Sequence, residues 1–190
     1  MKGLLLKDFY VVTKQLKIFL IIIPIIAIFN PVMTPLVSLM GAFLPMTALA
    51  YDEQSKWSNL ADMMPYSKSD IVISKYVFGY ICMLGFTAII LLFRLISINS
   101  IFSSLPTNIP ISLAIALIFI AINTPVMFKF GVEKGRFVYI LAMAVLASIG
   151  ALSSEININI FGISPIILIL IAIGINIISM IISIRIQENK

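Results

Sequence analysis

The chain has 190 residues, of which 61% are hydrophobic and 11% charged, and its mean hydropathy is +1.14. Soluble domains are about 45–50% apolar and 25% charged, so this composition excludes an ordinary water-soluble domain. The net charge is +5, but the basic residues lie in short segments between long apolar runs. That distribution favours a role in membrane topology over nucleic-acid binding. Histidine is absent and Cys82 is the single cysteine, which excludes imidazole chemistry and an intrachain disulfide.

The apolar runs predict six membrane-spanning helices. Residues 18–51 carry no charge, and this stretch is too long for one spanning helix of about 20 residues but long enough for two. Asn30 and Pro31 mark the join between these two spans. The predicted spans are 11–30, 32–51, 71–98, 109–128, 137–152 and 163–184. We therefore predict an all-α integral membrane protein that forms a single domain over residues 1–190.

The positions of Lys and Arg predict the orientation. With six spans, every basic residue except Arg94 falls on the same side of the membrane as the two chain ends. Because cytoplasmic segments retain positive charge, both ends are predicted to be cytoplasmic, in a multi-pass protein of the bacterial cell membrane. Arg94 lies near the outer end of the third span, where it either anchors the helix at the interface or lines a pathway. The nearness to the interface favours an anchor.

The first residues predict a helix that lies on the inner membrane surface and continues into the first span. Leu5, Phe9, Val12 and Leu16 share one face of such a helix, which is the pattern of an interfacial amphipathic helix.

The connection between the second and third spans, residues 51–70, carries a second amphipathic pattern. Trp57, Leu60, Ala61 and Met64 follow i, i+3, i+4, i+7 spacing and predict a short helix with one apolar face, ended by Pro65. Two uses of this helix remain open from the pattern alone. It lies on lipid headgroups with its Trp as an anchor, or it inserts into a groove of a soluble partner.

Two sequence regions resemble a known family. The opening MKGLLLKDFYVVTKQLK and the later ALAYDEQSKWSNLADMMPYSKSDIVISKY are similar to permease subunits of bacterial type-2 ABC exporters, especially small Gram-positive members that export antimicrobial peptides or phenol-soluble modulins. The matching pattern is the acidic pair Asp52 and Glu53, followed by Pro65-x-Ser67-Lys68-x-Asp70-Ile71-Val72-x-x-Lys75. The two regions cover about a quarter of the chain, whereas the six-span layout covers all of it.

The resemblance implies that the helix between the second and third spans is a coupling helix, which docks on an ATP-binding subunit. It therefore favours the partner groove over the lipid headgroups. The residues it implies in contact with the ATPase are Asp52, Glu53, Trp57, Leu60, Ala61, Met64, Pro65, Ser67 and Lys68. It also implies pairing with a second copy or a paralogous permease.

The sequence itself lacks a phosphate-binding loop, since its nearest glycine cluster, at Gly131 and Gly135, does not fit G-x-x-x-x-G-K-[ST]. We therefore expect no enzymatic activity and no cofactor on this chain, with ATP and magnesium on a partner ATPase. The predicted function is the permease of an ABC exporter that moves a hydrophobic or amphipathic peptide or drug-like substrate outward. The alternative is a polytopic membrane protein that transports nothing, such as a bacteriocin immunity protein or a sensor scaffold.

Overall fold

The helical character predicted from the sequence is present throughout the described part of the chain. The structure is a computed structural model that describes residues 2–29, 34–61, 63–64, 66–96, 108–155 and 165–189. Its helices are α1 (Lys2–Phe29), α2 (Thr34–Gln54), α3 (Trp57–Ala61), α4 (Lys68–Ile96), α5 (Asn108–Glu155) and α6 (Pro165–Glu188). No strand occurs within these ranges, in agreement with an all-α class.

The described helices include three stretches that are long and apolar enough to cross a membrane: Lys68–Leu92, Ile109–Val138 and Ile166–Glu188. They coincide with the third, fourth and sixth predicted spans. Helices α1 and α2 contain most of the residues of the first two predicted spans. The number of six spans and their orientation stay predictions.

The fourth and fifth predicted spans both fall in α5, which is broken at Gly131. This residue has φ 81° and ψ 173°, a conformation that is essentially restricted to glycine. A methyl group on Gly135 would lie 3.6 Å from the Cα atom of Met127, whereas positions eight apart in a continuous helix are separated by about 12 Å. The chain therefore turns back sharply at Gly131, and one residue replaces the longer connection predicted over residues 129–136.

Helix α4 packs against all four other long helices, whereas α2 packs against α1, α4 and α5. One cluster of buried apolar residues joins α2, α4 and α5, and a second joins α1, α2 and α4. At Gly41 a methyl group would lie 2.8 Å from the Cα atom of Met83. The backbones of α2 and α4 thus approach so closely that only glycine fits there.

One face of α1 is buried against the bundle. Leu4, Asp8 and Val12 are buried, whereas Phe9 is half exposed. Phe9 was predicted on the apolar face of an interfacial helix, and no role was predicted for Asp8. The carboxylate of Asp8 is buried because it binds a buried lysine of α4.

Candidate functional site at the α3 end of the bundle

The short helix α3 lies at the end of the bundle that is predicted to be cytoplasmic, and it is shorter than expected. It ends at Ala61, and hydrogen bonds from the backbone amides of Met63 and Met64 to the carbonyls of Leu60 and Ala61 form a turn after it. Ala61 is buried, while Leu60, Met63 and Met64 are exposed, Met63 to 85%. Exposed apolar side chains occur at Leu60 and Met64 as the spacing predicts, but Ala61 is buried and Met64 lies in the turn after the helix.

The exposed apolar side chains of this turn form a small surface patch that we call the α3 patch: Leu60, Met63 and Met64. Met63 was missed by the sequence reasoning because it does not fit the helical spacing that selected the other two. Pro65 lies outside the described residues.

Beneath α3 lies an ionic cluster of four residues: Lys7, Asp8, Asp52 and Lys75. The ammonium of Lys75 binds Asp8 Oδ1 and Asp52 Oδ2, each at 2.6 Å. The ammonium of Lys7 binds Asp52 Oδ1 at 2.6 Å and lies 3.2 Å from Asp8 Oδ1. The side chains of Lys75 and Asp8 are only 2% and 1% exposed. The cluster is charge-balanced and connects α1, α2 and α4.

Lys7 connects this cluster to α3. Its ammonium lies 4.2 Å from the centre of the Trp57 ring, within the range of a cation–π interaction. Two buried polar atoms at this junction, Asp8 Oδ2 and Trp57 Nε1, have no hydrogen-bond partner among the described residues. The base of α3 is thus bound to the three-helix cluster through one lysine side chain.

The second member of the acidic pair, Glu53, forms a different connection. Its Oε2 accepts a hydrogen bond of 2.7 Å from the backbone amide of Val132, the first residue after the break at Gly131. A carboxylate at this position satisfies an amide that the interrupted helix leaves unpaired, and it interacts favourably with the start of the second half of α5. The adjacent acids Asp52 and Glu53 therefore bind two separate parts of the fold.

The spacing of the motif that carries the resemblance has a local structural explanation at the start of α4. Ser67 Oγ accepts a hydrogen bond of 3.1 Å from the amide of Asp70, which is the geometry of a helix N-cap. Asp70 lies in the first turn of α4. Lys68 begins the helix, Val72 is buried, and Lys75 enters the ionic cluster.

A second polar group lies inside the bundle and was not predicted. Tyr76 Oη of α4 is hydrogen-bonded to Ser179 Oγ at 2.7 Å and to Ser183 Oγ at 2.9 Å. Tyr80 Oη donates to Asn176 Oδ1 at 3.0 Å. These bonds join α4 to α6. The serine spacing of one helical turn on α6 was the available sequence signal.

Arg94 lies near the end of α4, and its side chain is outside the described residues. Within the described part of the chain, no three His, Cys, Asp or Glu residues are grouped so that they could hold a metal ion. The expectation that ATP and magnesium bind a partner stays a prediction.

A family model named ABC-2 family transporter protein matches residues 3–188. The chain belongs to this family. The resemblance to type-2 ABC permeases is therefore confirmed at the level of the family, and the protein is a multi-pass membrane component of an ABC transporter. Membership implies an ABC ATPase subunit as partner. Neither the curated proteins nor the solved structures contain a match to the chain.

Proposed function

We propose that this ABC-2 permease works in an exporter that carries a hydrophobic or amphipathic substrate out of the cell. It pairs with a second copy or a paralogous permease, and two ATPase subunits drive it. The observation that carries the proposal is the α3 patch, which presents three exposed apolar side chains at the predicted cytoplasmic end, directly above the ionic cluster.

The α3 patch has the chemistry of a docking surface for the ATPase. Exposed apolar side chains are costly in water, and a helical turn that presents them fits a hydrophobic groove of a protein partner. Leu60, Met63 and Met64 supply the apolar contacts, while Trp57, half buried, holds the helix in place. In this proposal Asp52 and Glu53 contribute indirectly, since their carboxylates already bind Lys7, Lys75 and Val132.

Force on α3 passes to the bundle through Lys7. Closure of the ATPase pair displaces α3, and the contact of Lys7 with the Trp57 ring transfers the displacement to α1. From there the ionic cluster passes it to α2 and α4. The unpaired atoms Asp8 Oδ2 and Trp57 Nε1 provide spare hydrogen-bonding capacity for a second arrangement. Coupling requires that the two arrangements bind the ATPase and the substrate differently.

The substrate class follows from the residues available to line a pathway. The apolar composition of the spans favours a hydrophobic or amphipathic molecule over a sugar. The resemblance to small Gram-positive exporters points to a linear amphipathic peptide, such as an antimicrobial peptide or a phenol-soluble modulin.

The proposal is tested by co-purification with the ABC ATPase encoded beside this chain. Leu60→Asp with Met63→Asp places two carboxylates in the α3 patch, and we expect the variant to lose the ATPase while remaining folded. Lys56→Asp is the matched control, because it adds a carboxylate to the same segment outside the patch. Its backbone has φ 51°, a conformation that Asp tolerates better than most residues.

Retention of the ATPase by the wild type and by Lys56→Asp, with loss in the double variant, supports the docking role of α3. If the double variant retains the ATPase, the α3 patch is not the docking surface. If the wild type itself retains no ATPase, the export mechanism fails and a membrane protein that transports nothing becomes the better account.

A further inference from the structure

A large cavity lies beside the ionic cluster, between α1, α2 and the second half of α5. Its volume is about 1040 Å³, at the upper end of the roughly 300–1,000 Å³ typical of small-molecule sites. Neither the docking of α3 nor the ionic cluster uses this space.

The lining of the cavity changes from polar to apolar along one direction. On α1, Lys14 and Gln15 come one turn before Ile18. On α2, which runs the opposite way, Phe43 comes before Glu53 and Gln54. In the second half of α5, Glu133 and Arg136 precede Ile140. On all three helices the charged residues of the lining therefore lie nearer the α3 end than Ile18, Phe43 and Ile140, although the polar Thr47 lies close to Phe43 and the apolar Val132 lies beside Glu133.

Two cations at the polar end are available to a ligand. Lys14 and Arg136 line the cavity, and neither forms an ion pair with another described residue, whereas Lys7 and Lys75 are both paired. Of the two acids in the lining, Glu53 is bonded to Val132. Glu133 remains as a hydrogen-bond acceptor for a ligand that also carries a donor.

We propose that this cavity binds a glycerophospholipid of the inner leaflet. Its phosphate is held by Lys14 and Arg136, a hydroxyl or ammonium of its headgroup donates to Glu133, and its acyl chains lie against Ile18 and Ile140. Basic pockets between membrane helices on the cytoplasmic side are suited to lipid headgroups. The site recognises two groups together, a phosphodiester and a hydrogen-bond donor in the headgroup. Phosphatidylglycerol and phosphatidylethanolamine have both groups, whereas phosphatidylcholine has the phosphodiester but no donor in its headgroup.

The direction of the polarity change favours a lipid over an exported peptide. An inner-leaflet lipid has its headgroup at the cytoplasmic surface and its chains toward the midplane, which matches the order of the lining on all three helices. An amphipathic helical peptide instead has its polar and apolar residues on opposite sides along its whole length. Its polarity would change across the cavity and not along it.

The test uses the full chain in mild detergent with added dioleoyl phosphatidylglycerol, and native mass spectrometry measures the lipid bound. We expect Lys14→Gln with Arg136→Gln to weaken binding about tenfold or more, because each change removes a charge-assisted contact. The control is Lys17→Gln with Lys134→Gln, which removes two exposed cations from the same two helices without touching the lining. We expect that variant to bind within about twofold of wild type, since it loses the same net charge but no phosphate contact.

Further measurements distinguish a lipid phosphate from free phosphate and show whether each variant is folded. Inorganic phosphate is added to the protein that already carries phosphatidylglycerol, and we expect it not to displace the lipid. Lys14→Arg with Arg136→Lys keeps both charges and is expected to retain the lipid. The thiol of Cys82 is buried, so its lack of reaction with a maleimide shows that a variant is folded.

Equal loss of lipid in the two double Gln variants would mean general electrostatic attraction and would overturn the proposal. Equal binding of phosphatidylcholine, or displacement by inorganic phosphate, would also overturn it. If Lys14→Gln with Arg136→Gln keeps the lipid but loses an exported peptide, the cavity is a substrate site instead. None of these outcomes depends on ATPase docking, so failure here leaves the proposed function standing.

Discussion

Replacing Lys75 with Met should destabilise the protein more than any other single change to a lysine of the described residues. The Lys75 ammonium contacts two carboxylates at 2.6 Å, and its side chain is almost completely buried. Without it, Asp8 and Asp52 share only Lys7, so one negative charge in the cluster has no counter-charge. Removing one partner of a buried ion pair costs about 3–5 kcal/mol. At about 2–4 °C per kcal/mol for a chain of this size, the midpoint of thermal unfolding should fall by about 6–20 °C.

The assay is a thermal melt in detergent that follows the reaction of Cys82 with a fluorogenic maleimide. This thiol is buried and is the single cysteine of the chain, so its exposure reports unfolding. Lys17→Met is the control, since Lys17 is exposed, and its melt should match wild type within about 2 °C by the small effect of surface changes. Adding Asp8→Asn to Lys75→Met removes the unbalanced charge and should recover at least half of the loss. A double-mutant cycle with no coupling between these two positions would refute the reasoning.

The same melt tests two other features. Gly131→Ala should lower the free energy of unfolding by about 1–3 kcal/mol, because Gly131 has a backbone conformation that other residues rarely adopt. Gly174→Ala is the matched control, since an added methyl there meets nothing within 4 Å. It should leave the free energy of unfolding unchanged or raise it by up to about 1 kcal/mol. Equal effects at the two glycines would contradict the strained turn. Tyr76→Phe should lower the free energy of unfolding by about 1–3 kcal/mol, because it removes two buried hydrogen bonds to α6. Ser179 keeps its bond to the carbonyl of Ala121, so the loss falls mainly on Ser183. Tyr10→Phe, at an exposed position, should have no measurable effect. A Tyr76 variant that melts like wild type would show that these bonds add nothing to stability.

The sequence predicted the elements that depend on local pattern. The apolar runs located the long helices because burial in a bundle or a bilayer requires continuous apolar sequence. The position of α3 was predicted from the spacing around Trp57. The short helix nevertheless ends at Ala61, because intrinsic periodicity does not fix the ends of so short an element.

The ionic cluster could not be predicted because it depends on contacts between distant positions. Asp8 and Lys75 are 67 positions apart, and their proximity results from the packing of α1 against α4. A signal was present in α1, where Asp8 lies between Leu4 and Val12 on a single helical stripe. A charge in an otherwise buried stripe indicates a buried partner. The hydrogen bond between Glu53 and Val132 had no such signal in the sequence, because predicting it requires knowing that α5 is broken at Gly131.

The burial of Asp8 also constrains the order in which the helices assemble. An unpaired carboxylate is too costly to bury, and the cation that neutralises Asp8 most closely, Lys75, is synthesised 67 residues later. At about 5–20 residues per second, that delay is about 3–13 seconds. During this interval α1 must stay where water or headgroups can solvate its carboxylate. Helix α1 therefore takes its final position only after α4 has been inserted.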